Sequence, residues 1–205
     1  MHSFTGTDYL GRVSSDAAAT IAARTPRNRR QEETFRKILV AGMEMLRGSS
    51  HSEVTIRAVA GRAKVAPATA YTYFSSKNHL IAEIYLDLVG QVPFFTDVND
   101  TRLQRVQATL RSLALVVADE PEFAAACTTA LLSTDAAVHA ARDRIGAEIH
   151  RRIKSALGPP GDPRIVEALE ITYYGALVHA GSGTLTYQQV TERISYTVAL
   201  LLDDE

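Results

Sequence analysis

Between Thr55 and Phe74 the sequence has room for two helices of about two turns each, and only Ala63 to Val65 to join them. Thr55 can cap the first, with Ile56, Val59 and Ala60 facing inward. Pro67 suits the first turn of the second, which should stop near Phe74. A longer amphipathic segment precedes the pair, with Phe35, Ile38, Leu39, Gly42, Met45 and Leu46 at helical spacing and an end near Gly48. Three helices with a short turn between the last two make a helix-turn-helix unit from about Thr34 to Phe74, with Ala66–Tyr73 as its third helix.

The remainder also reads as helix. Ser76 is the expected N-cap of a fourth helix carrying Leu80, Ile81, Ile84, Tyr85 and Leu88, which ends before the connection from Gln91 to Asp100. Later helices are expected at about 101–119, 121–133, 134–157, 163–181 and 186–203, punctuated by Pro121, the segment Pro159 to Pro163, and Gly181-Ser182-Gly183. The chain is 46% hydrophobic and lacks Trp, and Ala, Leu and Val dominate, so helix is favoured over most of its 205 residues. The expected fold is all-α with about nine helices: a mobile tail over 1–23, a head over 24–80 and a helical body over 81–205. No apolar stretch approaches the roughly 20 residues of a membrane span, and no secretory signal pattern opens the chain. A cytoplasmic location without membrane attachment is therefore expected.

The whole-chain net charge of −1 conceals a division. Residues 24–80 carry 11 Lys and Arg against 4 Asp and Glu, while residues 81–205 carry 10 against 17. A basic head on an acidic body is the distribution expected when only the first part meets nucleic-acid phosphate.

The residues of the head also resemble a known family. Thr55-Ile56-Arg57-Ala58-Val59-Ala60, then Ala63-Lys64-Val65-Ala66-Pro67-Ala68-Thr69-Ala70-Tyr71-Thr72-Tyr73-Phe74, then Ser76-Lys77 match the order and spacing of the TetR family of bacterial repressors over about 45 residues. Three positions depart from that pattern. Lys64 replaces the usual turn glycine, and either adopts a positive φ at about 1 kcal/mol or uses a different turn. Ala70 replaces a common leucine, and His79 replaces the glutamate that often completes a capping box, leaving Ser76 to cap alone.

The resemblance implies a repressor that binds a palindromic double-stranded operator as a homodimer and is released by a small, hydrophobic effector. Short side chains at the start of a recognition helix permit close approach to base edges, which fits Pro67, Ala68 and Thr69. Arg57 is a candidate for bidentate contact with guanine or for a phosphate clamp. Thr55, Tyr71, Tyr73 and Lys77 are candidate phosphate contacts, with Tyr71 equally suited to core packing, and Lys64 and Thr72 are further candidate DNA contacts. Arg24, Arg27, Arg29 and Arg30 can form a basic arm or a solvated segment.

For the body, the resemblance implies dimerisation through the last two helices. Ile165, Leu169, Thr172 and Ala176 form one stripe there, and Val190, Ile194, Val198 and Leu201 another. Phe94, Phe95, Leu115, Phe123, Cys127, Leu131, Tyr173, Tyr174 and Leu177 are candidates for the effector pocket wall, with His139 and His179 as polar anchors. Each is also suited to ordinary core. Cys127 has no Cys or His at metal-ligand spacing and reads as buried packing. Arg151, Arg152 and Lys154 read as a solvated helix face, or as contacts for an anionic ligand.

The sequence has no nucleophile elbow, phosphate-cradling glycine loop, HExxH or Cys/His metal pattern, so no enzyme and no cofactor is expected. The competing reading is a small-molecule-binding helical protein that has lost specific DNA binding.

Overall fold

A computed structural model describes residues 28–48 and 53–202. Among these residues every regular element is helical: α1 (Arg29–Gly48), α2 (Ile56–Arg62), α3 (Pro67–Tyr73), α4 (Lys77–Gln91), α5 (Arg102–Leu115), α6 (Pro121–Leu131), α7 (Ala136–Leu157), α8 (Pro163–Gly181) and α9 (Tyr187–Leu202). The expected tail and Arg24 and Arg27 lie outside the described residues. Arg29 and Arg30 do not form an arm. They make the first turn of α1, where Arg29 pairs with Glu33 one turn on at 3.3 Å.

The helix starts follow capping chemistry. Thr55, Ser76, Thr101, Asp135 and Asp162 each accept a backbone N–H from the first turn of α2, α4, α5, α7 and α8 respectively. Pro67, Pro121 and Pro163 open α3, α6 and α8, where a missing N–H costs nothing.

α1, α2 and α3 enclose Phe35, Ile38, Val59, Ala60, Ala70 and Phe74, and the Phe35 and Phe74 rings stack at 5.1 Å. α4 continues this core into the body. Leu80, Ile81, Ile84, Tyr85 and Val89 are buried along it, so one apolar cluster runs through head and body without a break. A Cβ at Gly42 would lie only 3.0 Å from Ile84 Cδ1, so glycine lets α1 rest close on α4. In the body, α4 packs against α6 and α7, α5 against α7 and α9, and α8 against α6, α7 and α9.

The two stripes expected to form a dimer contact are turned partly or wholly into the chain itself. Leu169, Val190, Ile194 and Val198 are buried within the chain, while Ile165, Thr172, Ala176 and Leu201 are half-buried. The apolar side chains left outside on these helices are Ile171 (73% exposed), Tyr174 and Val178 on α8, and Tyr196 and Leu200 on α9. On α8 they recur at three- and four-residue spacing and form one outward face.

Candidate nucleic-acid interface

The turn between α2 and α3 is built by Lys64. Its φ is 55°, the left-handed conformation usually left to glycine. Val65 N–H donates to Ala60 O at 2.9 Å and Lys64 N–H to Gly61 O at 3.1 Å, the pair of bonds of a Schellman ending. The backbone therefore keeps the glycine turn with a lysine in it, at a cost of about 1 kcal/mol. The same geometry leaves the Lys64 side chain exposed beside the start of α3.

On α3, Pro67, Ala68, Tyr71 and Thr72 are exposed, Thr69 and Tyr73 half-buried and Ala70 fully buried. The spacing 67, 68, 71, 72 is one helical face, and it begins with the short side chains that a major groove admits. Tyr71 is 54% exposed and points away from the core. The partly internal tyrosine is Tyr73, whose ring lies 6.2 Å from Phe35 and 6.4 Å from Phe74. Thr72 Oγ1 donates to Thr69 O at 2.7 Å. Thr55 Oγ1 accepts from Ala58 N at 3.1 Å, so its hydroxyl proton remains able to meet a phosphate oxygen.

Arg57 is exposed on the first turn of α2. Neither it nor Lys64 has an ion-pair partner among the described residues, whereas nearby Arg62 pairs with Glu44 at 2.8 Å and Arg36 with Glu32 at 3.3 Å. Arg57 and Lys64 thus lack, among the described residues, the ion pairs that engage Arg36 and Arg62, as does the exposed Lys37 of α1. Lys77, half-buried, opens α4.

His79 does not restore the capping box. Its Nδ1 accepts Ser75 N–H at 3.3 Å, its Nε2 faces Glu83 Oε1 at 3.4 Å, and its ring meets Phe74 edge-on at 5.7 Å. Glu83 is buried and also grips the Arg144 guanidinium of α7.

The expected pocket residues are dispersed. Phe123, Cys127 and Tyr173 are inside the main core, while Phe95, Leu131 and Leu177 are half-buried. Phe94, Leu115, Tyr174, His139 and His179 are exposed, and Phe94 lies 4.6 Å beneath the Arg152 guanidinium. Arg152 itself is not on a solvated face: it is buried, and its Nε and Nη2 donate to Val92 O at 3.0 and 2.8 Å, closing the C-terminal end of α4. Burial raises the Cys127 thiol well above its ordinary range, which keeps it protonated and inert.

Sequence reasoning missed Tyr85 as more than a core residue. Its hydroxyl meets that of Tyr173 at 2.7 Å. A tyrosine in an otherwise aliphatic stripe was the available signal. An open groove of about 480 Å³ lies elsewhere, between Thr101, Arg102 and Leu103 at the start of α5, Pro160, and Leu202 at the end of α9.

Residues 38–84 match the family described as bacterial regulatory proteins, tetR family. The chain is 60% identical over 201 residues to an uncharacterized HTH-type transcriptional regulator of Mycobacterium tuberculosis, covering 93% of this chain and 94% of that one. It is 29% identical over 208 residues to the HTH-type transcriptional repressor KstR of Rhodococcus jostii, covering 97% and 96%. Its fold is similar to that of the Thermus thermophilus repressor FadR in complex with lauroyl-CoA, with a TM-score of 0.64, 19% identity, and coverage of 82% of this chain and 93% of that one.

Proposed function

Because the chain belongs to the TetR family of bacterial regulatory proteins, we propose that it represses transcription by binding a two-fold symmetric operator as a homodimer and leaves that operator when a small, largely apolar effector binds its body. The observation that carries this reading is the outward face of α3 (Pro67, Ala68, Tyr71, Thr72) beside Arg57 and Lys64, which have no ion-pair partner among the described residues. Short side chains approach base edges while the two cations and the Thr55 hydroxyl meet phosphate. Thr69, Tyr73 and Lys77, less exposed, border that face.

The outward apolar face of α8 and α9 supports the dimer. Ile171, Tyr174, Val178, Tyr196 and Leu200 present a surface that a second copy would cover, and a Cβ at Gly175 would meet nothing, which leaves room for close helix approach. A single head binds too little DNA surface for strong specificity, so pairing two heads on successive major grooves supplies the rest. For the effector, Phe123, Cys127 and Tyr173 with neighbouring Tyr85 and Leu177 offer a neutral interior. FadR, of similar fold, holds lauroyl-CoA. Release follows if effector favours a dimer whose heads no longer fit successive grooves. The head over 24–80 and body over 81–205 then divide the two tasks, in the cytoplasm, where the operator is.

Selection of duplexes from a random pool tests the reading. A two-fold symmetric motif, bound with affinity that falls steeply with salt, is expected. Salt-insensitive binding, or no enriched motif, would favour a helical binding protein without an operator.

A further inference from the structure

Two helix caps in this chain are tied to each other. Ser76 Oγ caps α4, accepting His79 N–H at 3.0 Å, and donates its own proton to Asp135 Oδ2 at 2.5 Å. Asp135 in turn caps α7, its Oδ1 accepting Ala137 N–H at 2.9 Å. One carboxylate therefore gathers the N-terminal ends of two helices, and both favour its charge. Ser76 stands two residues beyond Phe74, where the recognition helix ends, so whatever holds Ser76 holds the exit of the helix-turn-helix.

About two turns further along α4, the seam with α7 changes character. Ala82, Val138 and Ala141 form a small apolar cluster separate from the main core. Beyond them Glu83 meets Arg144. The contact between the head end of α4 and α7 is thus a small apolar patch flanked by two polar links. Those links are direction-dependent, so they add a fixed orientation to what the apolar packing alone would hold. α7 is itself fixed to the end of α6, since Arg142 Nη1 donates to Leu131 O at 2.9 Å, and the start of α6 reaches the head through Glu120 and Arg47 at 2.5 Å.

We propose that the Ser76–Asp135 hydrogen bond, backed by the Glu83–Arg144 ion pair, is the joint through which α7 sets the orientation of the DNA-binding head, making Asp135 and Arg144 positioning residues for operator binding. The inference rests on the operator-binding reading, and it assigns the control of head orientation to residues that touch no DNA. It also gives His79 a place, since the ring lies between the Phe74 core and Glu83.

The test uses variants that cut the link while keeping both caps. Ser76→Gly leaves an acceptable N-cap, and Asp135→Ser keeps the α7 cap with a side chain that reaches less far. Asp135→Ser also removes a negative charge, which by itself would strengthen binding to DNA. On the duplex recovered by selection, each single variant is expected to weaken binding by about three- to thirtyfold, and the double variant no more than either single. Arg144→Met should weaken binding similarly and Arg144→Lys less. Unchanged affinity in both link variants, or losses that multiply in the double, would overturn the joint.

A second measurement separates this inference from the function it rests on. Spin labels at Lys37→Cys on α1 and Glu167→Cys on α8 report the head-to-body distance without DNA, with Cys127 too buried to label. The distribution should be narrow in the otherwise native chain and broader in Ser76→Gly and Asp135→Ser. Equal widths would sink the joint even if operator binding holds. A widened distribution in a chain that binds no duplex would sink the operator reading and leave the joint standing.

Discussion

The hydroxyls of Tyr85 on α4 and Tyr173 on α8 meet at 2.7 Å inside the body, and Tyr173 gives its proton to Leu113 O at 3.3 Å on α5. Tyr85 is therefore the donor to Tyr173, and three helices converge on one hydroxyl. Removing the Tyr173 hydroxyl leaves Tyr85 with a buried donor and no acceptor, whereas removing that of Tyr85 leaves Tyr173 still bonded. Tyr173→Phe is expected to cost about 1–3 kcal/mol and Tyr85→Phe less than that. Urea unfolding at neutral pH checks the order, and a larger loss in Tyr85→Phe would contradict the donor assignment.

Alkaline pH should unfold the protein through these same rings. Burial holds Tyr85 and Tyr173 above their ordinary range and pushes Tyr187 up to about 12, as it does Tyr174, whose ring is partly outward but whose hydroxyl turns in beside Gly146 of α7. Each folded value lies above the unfolded one near 10, so the unfolded chain loses its protons first as pH rises. The stability these groups contribute is complete below about pH 10 and falls as pH rises from there, through about 12 for Tyr174 and Tyr187 and higher still for Tyr85 and Tyr173. Tyrosinate absorbance should rise together with loss of helical circular dichroism. Absorbance rising fully near pH 10 in a folded chain would refute it.

Lys64→Gly separates backbone strain from charge. Glycine accepts the φ of 55° without the side-chain penalty, so the variant should gain about 1 kcal/mol of stability. Binding should nevertheless weaken, and the salt dependence should lose about one phosphate contact. Tighter binding with an unchanged salt slope would show that Lys64 serves the turn alone.

Gly181→Ala and Gly175→Ala should act oppositely on the monomer. A Cβ at 181 would collide with the Thr128 side chain, coming within 2.7 Å of its Cβ, and would force α6 and α8 apart at a cost of about 1–3 kcal/mol. A Cβ at 175 meets nothing, so alanine there should stabilise α8 by about 0.5–1 kcal/mol. Thermal unfolding at low concentration distinguishes them.

Ile171→Asp should yield a folded monomer with lost operator binding, because Ile171 is 73% exposed within one chain. Ile194→Asp, at a fully internal position, should fail to fold. Sedimentation velocity reads both, and a dimeric Ile171→Asp protein would place the interface elsewhere.

Much of this was legible in the sequence because it depends on residues close together in the chain. The caps at Thr55 and Ser76, the proline starts at 67, 121 and 163, and the turn at Ala63 to Val65 are set by local hydrogen bonds and fixed dihedrals. The basic head and the short side chains of α3 are likewise properties of adjacent residues. Lys64 was legible as a conflict, while its outcome was not, since the turn bonds to Ala60 and Gly61 had to outweigh the strain.

Tertiary structure decided which face of each body helix is inside. Val190, Ile194 and Val198 and the outward Tyr196 and Leu200 are all apolar, so periodicity marks two faces of α9 without ranking them. Only the neighbours α5 and α8 select the buried one. The same holds for Ser76 with Asp135 and Tyr85 with Tyr173, partners 59 and 88 residues apart. A hydrogen bond between distant residues leaves no periodic trace, because its geometry depends on how whole helices come to rest against one another.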